Sequence, residues 1–320
     1  MNRYSKNVSE FWHGKLLGSF LLTEMQLSKR MIRRLKSLDD GILVNGVPKT
    51  VRYMLKFGET VSVASTFNKQ VSYESEALDV AVCYEDEDYF VVDKPPYMTM
   101  YPRYLGEKGS LANFSKYYLE KNGGVGGFFS ISRLDKGTSG LVLLAKTAFA
   151  ASALRKCKIT KYYHTLVTGE CQEHGILTNY LKQAPYSGMR DGALFEVHEH
   201  EGEYAQLVYN RLFYHSQKNV SGVLVALVTG RRHQIRVQFS HLGHTILGDV
   251  RYGSQFTEYD RPLLHSTYLS FTSPISNKLI QVSLPLHSYH ESDHIKAWEE
   301  YFEKGELNYD KITEELRKNN

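Results

Sequence analysis

The sequence predicts an α+β protein in two parts: a small, basic α/β unit followed by a large mixed, mostly antiparallel sheet. Three observations carry this. A basic helical repeat and a tight-turn signal lie close together within residues 15–65. Beyond residue 80, apolar strand-like runs outnumber helical stretches and are joined by hairpin-like spacings. A doubly wound parallel sheet would instead place a helix between successive strands.

In chain order, residues 1–14 read as a polar tail. Ser28 is placed to cap a helix beginning at Lys29, with Met31, Ile32, Leu35 and Leu38 at helical spacing on its inner face. Lys29, Arg30, Arg33, Arg34 and Lys36 are then left outside. Asn45-Gly46 sits between two short apolar runs, a hairpin signal, and residues 57–63 alternate like a closing strand. Residues 66–79 read as a polar linker and 80–290 as the body. Its strands are expected at 89–93, 140–145, 163–167 and 222–228, with a helix from about Thr147 to Cys157. Residues 291–320 are charged and helix-prone, an expected C-terminal appendage.

Composition narrows the function classes. Residues 1–70 hold 12 Lys and Arg against 5 Asp and Glu, whereas the remainder holds 27 against 30. A basic head on a nearly neutral body points to a polyanion bound through the head. The three cysteines, Cys83, Cys157 and Cys171, are an odd number without close spacing, which argues for a reducing compartment and against a disulfide framework or zinc knuckle. The apolar stretch from Leu16 to Leu22 is too short for a membrane span, so the expected location is cytoplasmic.

Three segments carry chemistry. Ser132 to Gly140 is a polar loop running into an apolar strand, a place where Asp135 would be held rigidly at a cleft mouth. Read from spacing alone, a plain Asp-Lys-Gly turn capped by Thr and Ser is the commoner reading. Lys161 to Val167 puts Tyr162 and Tyr163 at a strand start, suited to stacking on a base, although in a chain of 23 tyrosines an ordinary half-buried core residue is the commoner reading. Thr229 to Val237 contains Arg231 and Arg236, which in one cleft would hold a carboxylate and RNA phosphates. His233, His241 and His244 lack metal-ligand spacing and lie among arginines, so no metal is expected. Gly123 to Gly127 lacks the Gly-Lys-Ser/Thr of a phosphate loop and reads as a flexible turn.

In this order and spacing the segments strongly resemble the large-subunit ribosomal RNA pseudouridine synthase family. The matches are Arg133-Leu-Asp-x-x-Thr-Ser-Gly140, Lys161-x-Tyr-x-x-Leu-Val167, Gly230-Arg-x-His-Gln-Ile-Arg-Val237 and Leu242-Gly-His-x-Ile-x-Gly-Asp249, with Asp93-Lys94-Pro95 before them and Leu263-Leu264-His265 after. The front unit resembles a small RNA-binding fold named after a small-subunit ribosomal protein, S-four-like, which members of the family often carry. The resemblance implies the pseudouridine synthase fold, with Asp135 as the catalytic carboxylate, Arg236 as its ion-pair partner and Tyr163 against the base. It implies RNA contacts at Arg133, Arg231, His233 and Gln234, and phosphate contacts at Lys29, Arg30, Arg33 and Arg34. It also implies a monomer that isomerises uridine in ribosomal RNA, or secondly transfer RNA, with no cofactor and no metal. The rival expectations are a silent RNA-binding or ribosome-assembly factor of the same fold and, more remotely, a metal-dependent hydrolase using the histidines. Three positions depart from the family pattern: Ser132 for His, Tyr97 for Gly, and Arg232 for a small or hydroxylated residue. None of them is a residue to which the family's chemistry is assigned.

Overall fold

The computed structural model describes residues 3–64, 73–124, 128–155, 157–185 and 193–284. The front unit contains β1 (Arg3–Asn7), α1 (Leu17–Thr23), α2 (Lys29–Leu35), β2 (Ile42–Val44), β3 (Val47–Pro48) and β4 (Thr60–Ala64). Its strands make a separate sheet in the order β1-β4-β2-β3. The expected tail is therefore corrected: Arg3–Asn7 pair antiparallel with β4, and Val8 and Trp12 are buried in this unit's own core. Five residues whose partner strand lies more than fifty positions away leave no local signature.

The local chemistry of the head follows its sequence. The Ser28 hydroxyl accepts a hydrogen bond from the Met31 amide at 3.1 Å, satisfying one of the unpaired N–H groups at the start of α2. Met31, Ile32 and Leu35 are buried, while Lys29, Arg30 and Arg33 are exposed. Asn45 and Gly46 both take positive φ, 49° and 78°, as the tight turn between β2 and β3 requires.

The body contains β5 (Ala81–Glu85), β6 (Tyr89–Lys94), α3 (Leu111–Lys121), β7 (Phe129–Ser130), β8 (Ser139–Ala145), α4 (Ala148–Leu154), β9 (Ile159–Thr168) and β10 (His174–Gln183). After them come β11 (Phe195–His198), β12 (Glu203–His215), β13 (Val220–Leu227), α5 (Gln234–His241), β14 (Leu264–Thr272) and β15 (Leu279–Ser283). The eleven strands form one sheet with the central order β11-β10-β12-β13-β9-β14-β8-β6-β5. Among the described residues, every pairing is antiparallel except β8 with β14. This is the mixed, mostly antiparallel sheet that the strand spacing predicts.

The parallel seam positions the site. Because β8 and β14 run the same way, the loops entering both strands open at the same edge of the sheet. Their bases are locked together: a Cβ on Gly140 (φ 105°) would lie 2.2 Å from the Ser266 carbonyl oxygen. Only glycine permits that approach. Antiparallel β9 lies against β14, with Tyr163 opposite Ser266.

The head is docked on the body. Phe149 of α4 is part of the head's core, its ring centroid 4.4 Å from that of Tyr4, and the Ser28 amide donates to the Ser152 hydroxyl at 3.4 Å. The appendage, the middle of the glycine run and the first half of the linker fall on residues 285–320, 125–127 and 65–72, outside the described residues. Among the described residues, no helix is long and apolar enough to cross a membrane.

Candidate active site

Asp135 lies in the loop that enters β8, and the loop is held at several points. The Ser132 hydroxyl, where the family has His, accepts from the Leu143 amide at 2.9 Å. The Thr138 amide donates to the Asp135 carbonyl at 3.1 Å, closing the turn. From the end of β6, fully buried Lys94 donates to the carbonyls of Pro95 (2.8 Å), Met98 (2.9 Å) and Lys136 (3.4 Å). Burial draws its ammonium pKa down to about 7, against the pull of the Asp135 charge. The Asp135 side chain stays 21% exposed.

Arg236 comes from the first turn of α5 and is almost sealed from solvent. Its Nε and Nη2 donate to Asp249 Oδ2 and Oδ1 at 2.7 and 2.8 Å, a two-pronged pair. The remaining Nη1 donates to Asp135 Oδ2 at 3.1 Å. Burial would lower the guanidinium's pKa, but the hydrogen bonds and charge of Asp249, with the charge of Asp135, reverse the shift and raise it. The fork is thus a fixed cation with one free arm, and that arm points at Asp135. Its face also lies over the Tyr252 ring, 4.9 Å from the centroid.

His233 precedes α5 in the left-handed conformation (φ 54°, ψ 18°) and is buried. Its Nδ1 lies 2.8 Å from the Tyr252 hydroxyl, and its Nε2 lies 3.7 Å from Asp135 Oδ2. Burial pushes the imidazole pKa down to about 4, with Asp135 opposing and Arg236, Arg232 and Arg251 assisting. The ring is neutral at pH 7, so its approach to Asp135 is that of a dipole and not of an ion pair.

These groups share one pocket of about 230 Å³. Asp135, Tyr163, His233 and Arg236 line it together with Arg133, Lys161, Arg231 and Arg232. Tyr163 is 5% exposed, and burial first, then the Asp135 charge, raises its pKa, so it is a neutral phenol. The volume is below the ~300–1,000 Å³ typical of drug-sized ligands and on the scale of a single extruded base.

Asp135, Tyr163 and Arg236, from three distant stretches, therefore meet in one hollow. Arg133 is exposed on its lining. Arg231 does not join Arg236 on the carboxylate: its Nε donates to the Tyr204 carbonyl at 2.8 Å and its Nη1 lies 3.4 Å from Glu203. Gln234 also lines the pocket, as a buried side chain. Its buried amide accepts from the Thr229 hydroxyl and the Arg231 amide, both at 2.9 Å, and donates to the Gln206 carbonyl at 3.0 Å, which braces the turn into α5. Lys29, Arg30, Arg33 and Arg34 lie on α2 in the head, away from the pocket lining. His244 Nδ1 meets the Thr168 carbonyl at 2.7 Å, and among the described residues no three His, Cys, Asp or Glu side chains group as metal ligands.

Sequence reasoning passed over Asp249, Lys94 and Tyr252. Asp249 and Lys94 stand in matched motifs without a role, and Tyr252 has no signal beyond lying three residues after Asp249. The departures also find physical places. Tyr97 holds the positive φ (63°) that a glycine would adopt freely, and its hydroxyl donates to Asp260 Oδ1. Arg232 lies over the Phe195 ring, 5.7 Å from its centroid.

Comparison with known proteins gives the family. A family model described as RNA pseudouridylate synthase matches residues 88–241. The Bacillus subtilis (strain 168) protein named "Uncharacterized RNA pseudouridine synthase YjbO" is 32% identical over 270 residues, covering 82% of this chain and 93% of that one. "Ribosomal large subunit pseudouridine synthase D" of Haemophilus ducreyi is 27% identical over 267 residues, covering 78% and 80%. Among solved structures, "Human RNA Pseudouridylate Synthase Domain Containing 1" superposes with a TM-score of 0.53 at 25% identity, covering 65% of this chain and 83% of that one. The chain belongs to the RNA pseudouridylate synthase family, and is an isomerase acting on uridine in RNA.

Proposed function

We propose that Asp135 is the catalytic carboxylate of this isomerisation and that the reaction needs no cofactor. One observation supports this most: Arg236, fixed on two arms by Asp249, aims its third at Asp135 Oδ2 in a pocket walled by buried Tyr163. Uracil must leave the ribose, turn, and rejoin through carbon 5. Either route, attack on the anomeric carbon or removal of the neighbouring sugar proton, requires an ionised carboxylate beside that centre. Arg236 supplies the opposing charge. The contacts of Arg236 and His233 to the carboxylate both fall on Oδ2, and among the described residues Oδ1 accepts no hydrogen bond, leaving it for the sugar. Tyr163 offers a ring against which the extruded base packs. Electrons and atoms are conserved between uridine and pseudouridine, so the chemistry itself asks for no redox partner.

The relatives named as ribosomal large-subunit synthases support large-subunit ribosomal RNA as the substrate. The head is read as an S-four-like RNA clamp, with Lys29, Arg30, Arg33 and Arg34 of α2 against backbone phosphates, raising affinity without reading sequence.

The test is Asp135→Asn, incubated with total RNA from cells lacking the protein. Pseudouridine formation, read by mass spectrometry, is expected to disappear while RNA affinity stays within a few-fold. Near-normal turnover by the variant would remove Asp135 from the chemistry. Absence of new pseudouridine with the unaltered protein would favour the silent RNA-binding reading instead.

A further inference from the structure

Beside the ion pair, Asp135 Oδ2 faces a second group: the Nε2 of neutral His233, 3.7 Å away. What that nitrogen presents, a proton or a lone pair, is decided on the far side of the ring. There Nδ1 meets the Tyr252 hydroxyl at 2.8 Å. The Tyr252 oxygen already accepts from the Phe195 amide at 3.1 Å. A phenol has one proton to give, and with its oxygen already receiving the amide N–H, the arrangement that uses both its donor and its acceptor sends that proton to His233 Nδ1. The imidazole proton then lies on Nε2 and faces the carboxylate. The opposite tautomer would aim a lone pair at Oδ2.

The surroundings fix this arrangement. Phe195 belongs to β11, and its ring stands edge-on to His233 at 5.6 Å between centroids. The Tyr252 ring stands edge-on to the same imidazole at 5.8 Å. The backbone of His233 is held in the left-handed region, which a non-glycine residue keeps only where its surroundings impose it. A strained residue with two aromatic rings set near-perpendicular to its own is a device for aiming one nitrogen.

Resting on the reading of Asp135 as the catalytic carboxylate, we propose that His233 is a positioning residue for it, locked by Tyr252 as the Nε2–H tautomer. Arg236 supplies the charge. His233 supplies an uncharged N–H that closes on Oδ2 once the nucleotide is bound, so that the carboxylate is held from two sides by one oxygen and turns the other to the sugar. The gap of 3.7 Å is beyond a hydrogen bond, in keeping with catalytic contacts that tighten only on substrate binding.

Two measurements test this on the full-length chain. Long-range proton–nitrogen NMR at neutral pH, with the His233 signal identified by its loss in His233→Gln, is expected to show Nδ1 unprotonated and Nε2 protonated. Tyr252→Phe is expected to mix the tautomers. A proton on Nδ1, or no response to Tyr252→Phe, overturns the proposal without touching Asp135. The second is single-turnover pseudouridine formation in total RNA from cells lacking the protein. Tyr252→Phe should lower the rate at saturating enzyme about tenfold, the worth of one neutral hydrogen bond, and move the half-saturating concentration less than about twofold. His233→Gln, whose amide stays a donor whatever Tyr252 does, should retain far more rate than His233→Ala and be insensitive to Tyr252→Phe. An equal loss from Tyr252→Phe in both backgrounds would show that Tyr252 does not act through His233. Full activity of Asp135→Asn beside an intact Nε2–H tautomer would place the failure in the assignment of Asp135, not in the network.

Discussion

Asp249 and Arg236 are both nearly sealed from solvent, and the two bonds between them leave the guanidinium one arm to offer. Removing a single partner from a buried pair strands the other charge, at a cost of about 3–5 kcal/mol. Asp249→Ala is therefore expected to lower unfolding free energy by that amount in chemical denaturation. Asp135→Ala should cost clearly less, because that side chain is 21% exposed and Arg236 keeps its bidentate partner. Equal losses would mean that the fold does not distinguish the two carboxylates as their burial implies. At this scale Asp135, Tyr163 and Arg236 were legible because each stands in a short, ordered motif. The job of Gln234 was not, since a buried side chain that braces a turn and an exposed one that touches RNA look alike in sequence. The left-handed backbone of His233 has no sequence signature either, being imposed by its neighbours.

Among the elements, the parallel seam of β8 and β14 brings the loops of the site to one edge. Gly140→Ala tests it. A methyl group 2.2 Å from the Ser266 carbonyl, at a φ of 105°, has to push the strands apart or twist the chain. The expected result is a loss of at least about 2 kcal/mol of stability together with most of the activity. A variant with unaltered denaturation and turnover would show that the strands do not meet so closely. The antiparallel majority of the sheet was readable from strand spacing, and so was a helix after Thr147, which the structure ends at Leu154, short of the expected Cys157. β1 was not readable, since its order comes from β4 and the head's core. Nor was α5, which starts from a residue giving no side-chain cap.

For the molecule as a whole, the separation of basic head and near-neutral body makes salt dependence the natural probe. Replacing Lys29, Arg30 and Arg33 together by Gln removes exposed charges that hold no place in the head's core. RNA affinity is expected to fall, and the slope of log affinity against log salt to flatten by up to about 2.7, at roughly 0.7–0.9 per lost phosphate contact. The single-turnover rate at saturating enzyme should stay near its original value. An unaltered slope would place the RNA clamp elsewhere.

Substitution is a cleaner probe than truncation because Phe149 serves two masters. Its backbone belongs to a helix of the body, and its ring closes the interior of the head. The front unit cannot swing away or be cut off without wetting that ring. Anything that grips the head also steadies the body by mass action, so a bound transcript would act as a brace for the enzyme as well as its cargo.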